Sequence, residues 1–146
     1  MMKILIPVDF SEFSDRAIEE GVKMAKAFDS KVVIIYVEGK RFRTQRLTSI
    51  VEQDQTIDPF TKHEIEKANE MIAEYKESFG DMKDKVETLV LYGIVSDEII
   101  KMINNTEVDF VIMGSHGIGS AIYRTLNGSI TNKVIHHSNK PVLVIK

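Results

Sequence analysis

Phe110-Val111-Ile112-Met113-Gly114-Ser115-His116-Gly117 is a four-residue apolar run that stops on a turn bounded by two glycines. Four consecutive apolar side chains leave no polar face, which is how a strand reads when helices cover both sides of its sheet. Working outward, the same signature recurs in Ile4-Leu5-Ile6-Pro7-Val8, in Val32 to Val37, in Val86 to Tyr92 and in Val142 to Ile145. Amphipathic stretches separate these runs. Ala17, Ile18, Gly21, Val22, Ala25 and Phe28 repeat at three- and four-residue spacing, with Glu19, Glu20, Lys23 and Lys26 on the other side. Thr61-Lys62-His63-Glu64 has capping-box spacing and predicts a helix opening there and running through Ile65, Ala68, Ile72 and Tyr75. Ser96 is expected to cap a short helix carrying Ile99, Ile100 and Ile103, and a final helix is expected from about Ser129 through Val134 and Ile135. The alternation predicts an α/β fold: one Rossmann-like domain over residues 1–146, with an open five-stranded parallel sheet of order 3-2-1-4-5 and helices on both faces.

Residues 39–60 fit neither period. Lys40, Arg41, Arg43 and Arg46 come first, then Glu52, Asp54 and Asp58. A connection this long reads either as a solvated surface loop or as a nucleotide lid or partner-contact segment.

Composition narrows the classes. A length of 146 residues suits one domain with one core. The absence of cysteine excludes disulfide scaffolds, thiolate metal sites and thiol nucleophiles together. A net charge of −3 offers no general pull toward nucleic acid or anionic lipid, so neither is expected as a partner. Asp9 arrives before any signal-peptide core can form, and no apolar run approaches the ~20 residues of a membrane span. The expectation is a soluble, cytoplasmic protein with no membrane partner.

In an open parallel sheet the ligand site lies beyond the carboxyl ends of the strands, where the strand order reverses. With this order, Asp9-Phe10-Ser11 after the first strand faces Gly114-Ser115-His116-Gly117 after the fourth. Familiar site types are missing. No G-x-G-x-x-G or flavodoxin-type glycine loop follows the first strand, and no G-x-x-x-x-G-K-[ST] occurs. Leu91-Tyr92-Gly93 offers no phosphoacceptor aspartate of the receiver type. What remains is a glycine cluster, Gly114, Gly117 and Gly128-Ser129. The first two permit a tight turn and close approach to a ligand, and the last pair sits at a helix N-terminus suited to phosphate.

Each feature also has a plainer reading. Asp9 can cap the first helix, Gly114 and Gly117 can be turn glycines, and Ser129 can be an ordinary helix-start residue. His116 with Ser11 or Ser115 and Asp9 does not have nucleophile-elbow spacing, so a hydrolytic triad is rejected. His136 and His137 are adjacent on a helix and point about 100° apart, which does not suit a shared metal. His63 reads as an exposed helix residue.

Over essentially its whole length the sequence resembles the universal stress protein family, in its ATP-binding branch. The likeness rests on Ile4-Leu5-Ile6-Pro7-Val8-Asp9-Phe10-Ser11, on Val33 to Val37, and most densely on Val111 to Gly117 and Asn139-Lys140-Pro141-Val142-Leu143-Val144. The resemblance implies that Asp9 contacts a ribose, that the Val37 backbone meets an adenine edge, and that Pro7, Met113 and Gly114 border the nucleoside. Gly117, Gly128, Ser129 and the Ile130 N–H would hold the phosphates of ATP, or of AMP or ADP. Mg²⁺ or Mn²⁺ accompanies the triphosphate in that branch, with no metal ligand identified in this chain. Ile118 stands where a basic residue is common, which leaves phosphate binding to backbone N–H groups and the metal ion. A homodimer across the edge strand 141–146 is also implied, and a bare apolar edge independently asks for a cover. The implied function is a dimeric, nucleotide-dependent stress or regulatory protein. A slow ATPase or phosphotransferase using Asp9, and an interaction module that has lost its nucleotide, are the alternatives. No general base or arginine finger aimed at a γ-phosphate stands out.

Overall fold

The computed structural model describes residues 1–40, 57–116 and 130–146. Strand β1 (Lys3–Val8) leads into helix α1 (Glu12–Phe28), strand β2 (Lys31–Gly39) and helix α2 (Pro59–Glu77). A 3₁₀ turn (Gly80–Lys85) precedes strand β3 (Val86–Gly93) and helix α3 (Val95–Asn105). Strand β4 (Phe110–Gly114), helix α4 (Ile130–His137) and strand β5 (Val142–Ile145) complete the order. The sheet is parallel throughout and runs β3-β2-β1-β4-β5, the order expected from the sequence.

Side chains of successive strand residues point to opposite faces, so each short apolar run feeds two cores. Ile4, Ile6, Val8, Val32, Ile34 and Ile112 pack against Ala17, Ile18 and Ala25 of α1 and Ile72 of α2. Leu5, Val33, Ile35, Val111 and Met113 pack on the other face against Ile99 and Ile103 of α3 and Val134 of α4. This two-sided burial is why the strands lack polar alternation, and each fully buried Ile or Leu contributes about 1.5–3 kcal/mol.

The helix starts differ in detail from the sequence expectation. Helix α2 opens at Pro59, not at the Thr61 capping box. Asp58 is its N-cap, accepting from the Thr61 N–H at 2.9 Å and the Thr61 hydroxyl at 2.7 Å. The reason is local: Pro59 needs no N–H partner in the first turn and its ring presets the helical φ, while the aspartate supplies the stronger cap. Ser96 does not cap α3 either. Helix α3 begins at Val95 behind Ile94, whose carbonyl takes the Glu98 N–H at 3.0 Å, and Ser96 is buried in the first turn. Helix α4 starts at Ile130, and Ser129 lies outside the described residues.

Two features lie at the amino ends of the strands. Met1, Met2, Met24, Phe110 and Leu143 are among the residues lining an open groove of ≈ 800 Å³ beside β5. Ser30, fully buried at the start of β2, holds a hydroxyl with no hydrogen-bond partner among the described residues. No helix among the described residues is long and apolar enough to cross a membrane.

Candidate functional site: a crevice between strands β1 and β4

The crevice comes from strands that part. Strand β1 pairs with β2 along its whole length, from Lys3↔Lys31 to Val8↔Tyr36, but its pairing with β4 covers only Ile4↔Phe110 and Leu5↔Val111. Beyond Leu5 the two central strands diverge toward their carboxyl ends. Pro7, which has no N–H to give a neighbour, sits in the part of β1 that no longer pairs with β4. Pro7, Val8 and Asp9 therefore stand on one lip, and Met113 and Gly114 on the other.

Asp9 is held by the start of α1. Its Oδ1 accepts the Ser14 hydroxyl at 2.8 Å and the Ser11 N–H at 3.0 Å, and its own N–H donates to Ser14 Oγ at 2.9 Å. The N-cap of α1 is Ser11, whose Oγ accepts the Ser14 N–H at 3.3 Å. Asp9 thus braces the cap without being the cap. Its carboxylate keeps one orientation at the mouth of the crevice, as a group that must meet a ligand at a set place requires. The next residue, Phe10, has φ 64°, a left-handed conformation that costs a non-glycine residue roughly 1 kcal/mol. Its ring is clamped between Tyr36 (4.8 Å between centroids) and Tyr75 (5.8 Å). The Tyr36 hydroxyl donates to Glu38 at 2.8 Å and the Tyr75 hydroxyl to Asp15 at 2.5 Å. Burial pushes both phenols above the ordinary tyrosine range, and their carboxylate partners add to the shift.

On the opposite lip, Gly114 makes a close approach, although to the protein itself. A Cβ there would lie 2.7 Å from Phe13 Cβ and 3.1 Å from its carbonyl carbon, so the missing side chain lets the first turn of α1 dock on β4. The Gly114 carbonyl takes the Thr131 hydroxyl at 2.9 Å, and the Ser115 N–H donates to Ile145 at 2.7 Å. His116 Nδ1 lies 2.8 Å from Ser115 Oγ, and its ring packs at 5.1 Å on Phe13, over which the Arg16 guanidinium sits at 5.3 Å. Asp9 Oδ1 is turned to Ser11 and Ser14.

Val37 and Met113 are buried by their side chains in the α3/α4 core, so what Val37 can offer at the end of β2 is its backbone. Strand β2 continues to Gly39, three residues beyond the Tyr36 that pairs with the last residue of β1. Among the described residues, Val37, Glu38 and Gly39 have no strand partner on the β1 side. Ile130 is exposed at the first turn of α4. Gly117, Gly128 and Ser129 lie outside the described residues, as do Ile118, Arg124 and the 41–56 part of the long connection. His63 is exposed, and His136 and His137 sit in the last turn of α4, where a positive charge suits the helix dipole.

Sequence reasoning missed the residues that hold Asp9 in place. The spacing of Asp9, Ser11 and Ser14 carried the signal, since hydroxyls two and five residues past an aspartate meet it only where a strand turns into a helix. The Tyr36–Glu38 pair was legible as two polar groups at alternate positions of one strand, hence on one face.

Comparison with known proteins agrees with this architecture. The family model for the universal stress protein family matches residues 1–146. A universal stress protein of Methanocaldococcus jannaschii, MJ0577, is 34% identical over 154 residues, covering 99% of this chain and 94% of its own. Its solved structure superimposes with a TM-score of 0.77 at 32% identity over 99% of this chain and 94% of that one. Universal stress protein UspA of Lactobacillus plantarum shares the fold at TM-score 0.80 and 24% identity, over 99% of this chain and 97% of its own. An Arabidopsis thaliana family protein with AMP bound shares it at TM-score 0.64 and 18% identity, over 100% and 92%. A five-stranded sheet of this order, a crevice where β1 and β4 part, and a family match from end to end lead to one conclusion: the chain belongs to the universal stress protein family.

Proposed function

We propose that this protein binds an adenine nucleotide, ATP foremost, in the crevice between β1 and β4, and acts as a dimeric, nucleotide-dependent regulatory protein of the cytoplasm. The observation that carries the reading is Asp9: a carboxylate fixed by Ser11 and Ser14 at the carboxyl end of β1. In this reading Asp9 accepts a ribose hydroxyl, the unpaired edge of β2 at Val37 meets the adenine, and Pro7, Met113 and Gly114 border the nucleoside. Gly117, Gly128, Ser129 and the Ile130 N–H take the phosphates. Membership of the family supports this, and the same fold carries AMP in the Arabidopsis protein. Among the described residues no three histidine or acidic side chains gather to hold a cation. Mg²⁺ or Mn²⁺ would then be carried on phosphate oxygens and water, an arrangement common for Mg²⁺ with nucleotides. A second copy pairing along Val142–Ile145 would cover the open edge of β5.

The test is to identify nucleotide released from freshly purified protein and to titrate ATP, ADP and AMP by calorimetry, with and without Mg²⁺. Asp9→Asn keeps an oxygen for Ser11 and Ser14 but removes the charge. It is expected to weaken AMP and ATP alike by about tenfold or more with little change in melting. Gly128→Val is expected to weaken ATP while sparing adenosine. No copurified nucleotide and no heat at millimolar ATP would sink the proposal.

A further inference from the structure

Among the described residues, two other than glycine have a left-handed backbone, Asp29 at φ 50° and Phe10 at φ 64°. Asp29 is the C-cap of α1, where left-handed residues are ordinary and a short polar side chain tolerates the conformation. Phe10 is a bulky aromatic between the end of β1 and the N-cap Ser11, and such an outlier persists only where its surroundings over-determine it. Those surroundings are two tyrosines from different elements. Tyr36 of β2 lies 4.8 Å from the Phe10 ring, and Tyr75 of α2 stacks on it at 5.8 Å with 17° between the planes. All three rings pack against the core that α1 and α2 share. Both hydroxyls are anchored in turn, Tyr36 on Glu38 at 2.8 Å and Tyr75 on Asp15 of α1 at 2.5 Å.

The strained backbone sets the group beside it. The Asp9 carboxylate accepts the Ser11 N–H at 3.0 Å, so φ and ψ of Phe10 lie inside the ring that this bond closes. Returning Phe10 to a negative φ moves the Ser11 N–H, and with it the N-cap, relative to the carboxylate. Resting on the nucleotide-binding reading above, we propose that Phe10 is a positioning residue. The Tyr36–Phe10–Tyr75 stack compensates its left-handed backbone and so holds Asp9 in the orientation that receives the nucleotide. Helix α2 thereby contributes to binding from outside the crevice, through Tyr75. Without the stack, the fraction of molecules with Asp9 in place falls, and apparent affinity falls with that fraction.

The experiment is a pair of substitutions read by calorimetry with 5′-AMP. Phe10→Ala and Phe10→Gly both remove the ring, but glycine takes a left-handed φ at no steric cost. Phe10→Ala is expected to weaken 5′-AMP by about fivefold or more, and Phe10→Gly to return it to within about twofold of the wild type. Both are expected to melt below the wild type, since both lose the packing, so a loss of affinity confined to alanine separates positioning from packing. Tyr75→Ala leaves Phe10 in place and serves also if Phe10→Ala does not fold. It is expected to weaken 5′-AMP by about threefold or more alone, and to have no such effect when added to Phe10→Gly. Equal affinities in Phe10→Ala and Phe10→Gly, or a Tyr75→Ala loss that persists unchanged in Phe10→Gly, overturn the assignment while leaving nucleotide binding intact. A wild-type protein that binds no 5′-AMP overturns both.

Discussion

Gly114 shows how much a single residue can be read in advance and how much cannot. Its place at the end of an apolar run marks a position where something comes close, and something does. The neighbour in the structure is Phe13, about a hundred residues earlier, and no local pattern could name it. Adding a Cβ there meets backbone as well as side chain, so the contact cannot be relieved by rotating a flexible group. Gly114→Ala is expected to destabilise the fold by about 1–3 kcal/mol, read as a lower urea midpoint at unchanged slope. An unchanged midpoint would mean that α1 does not rely on this approach. Asp9 divides in the same way. Its position after β1 singled it out from the sequence, but its commitment to Ser11 and Ser14 became visible only once the strand-to-helix turn was built.

At the scale of elements, the three inner strands β2, β1 and β4 were legible because each is buried on two faces and so carries an apolar run, while the edge strands β3 and β5 are only partly buried and β3 has Glu87 and Thr88 within it. The helices were legible from their three- and four-residue spacing, but their first residues were not. Capping-box spacing pointed to Thr61, whereas Asp58 and Pro59 begin α2, because one side-chain oxygen pair can satisfy both the backbone and the hydroxyl of Thr61. Asp58→Ala is expected to cost about 1 kcal/mol of stability in a denaturant titration. A variant as stable as the wild type would return the start of α2 to the Thr61 box. The overrun of β2 past β1 was also hidden, since the length of an apolar run does not say where its neighbour stops. That overrun is what takes Val37 and Glu38 past the last residue of β1.

For the whole molecule, the order β3-β2-β1-β4-β5 leaves β5 as an edge strand, as the sequence led one to expect. Leu143 is 40% exposed on it, and the open groove at its foot shares Pro141, Val142 and Leu143 with that edge. A stable interface buries roughly 800 Å² per partner, more than four paired residues supply, so the apolar surface around β5 counts toward the proposed dimer. Leu143→Glu is expected to convert a dimer into a monomer in sedimentation experiments; a wild-type protein already monomeric at tens of micromolar contradicts the dimer. At the far end of the sheet from the crevice, Ser30, just before β2, keeps its hydroxyl buried with no partner among the described residues. Val37 lies seven residues along the same strand, roughly 20 Å away. The hydroxyl is a cost that the fold carries far from its crevice, an unclaimed gain in robustness at a place no ligand there would reach.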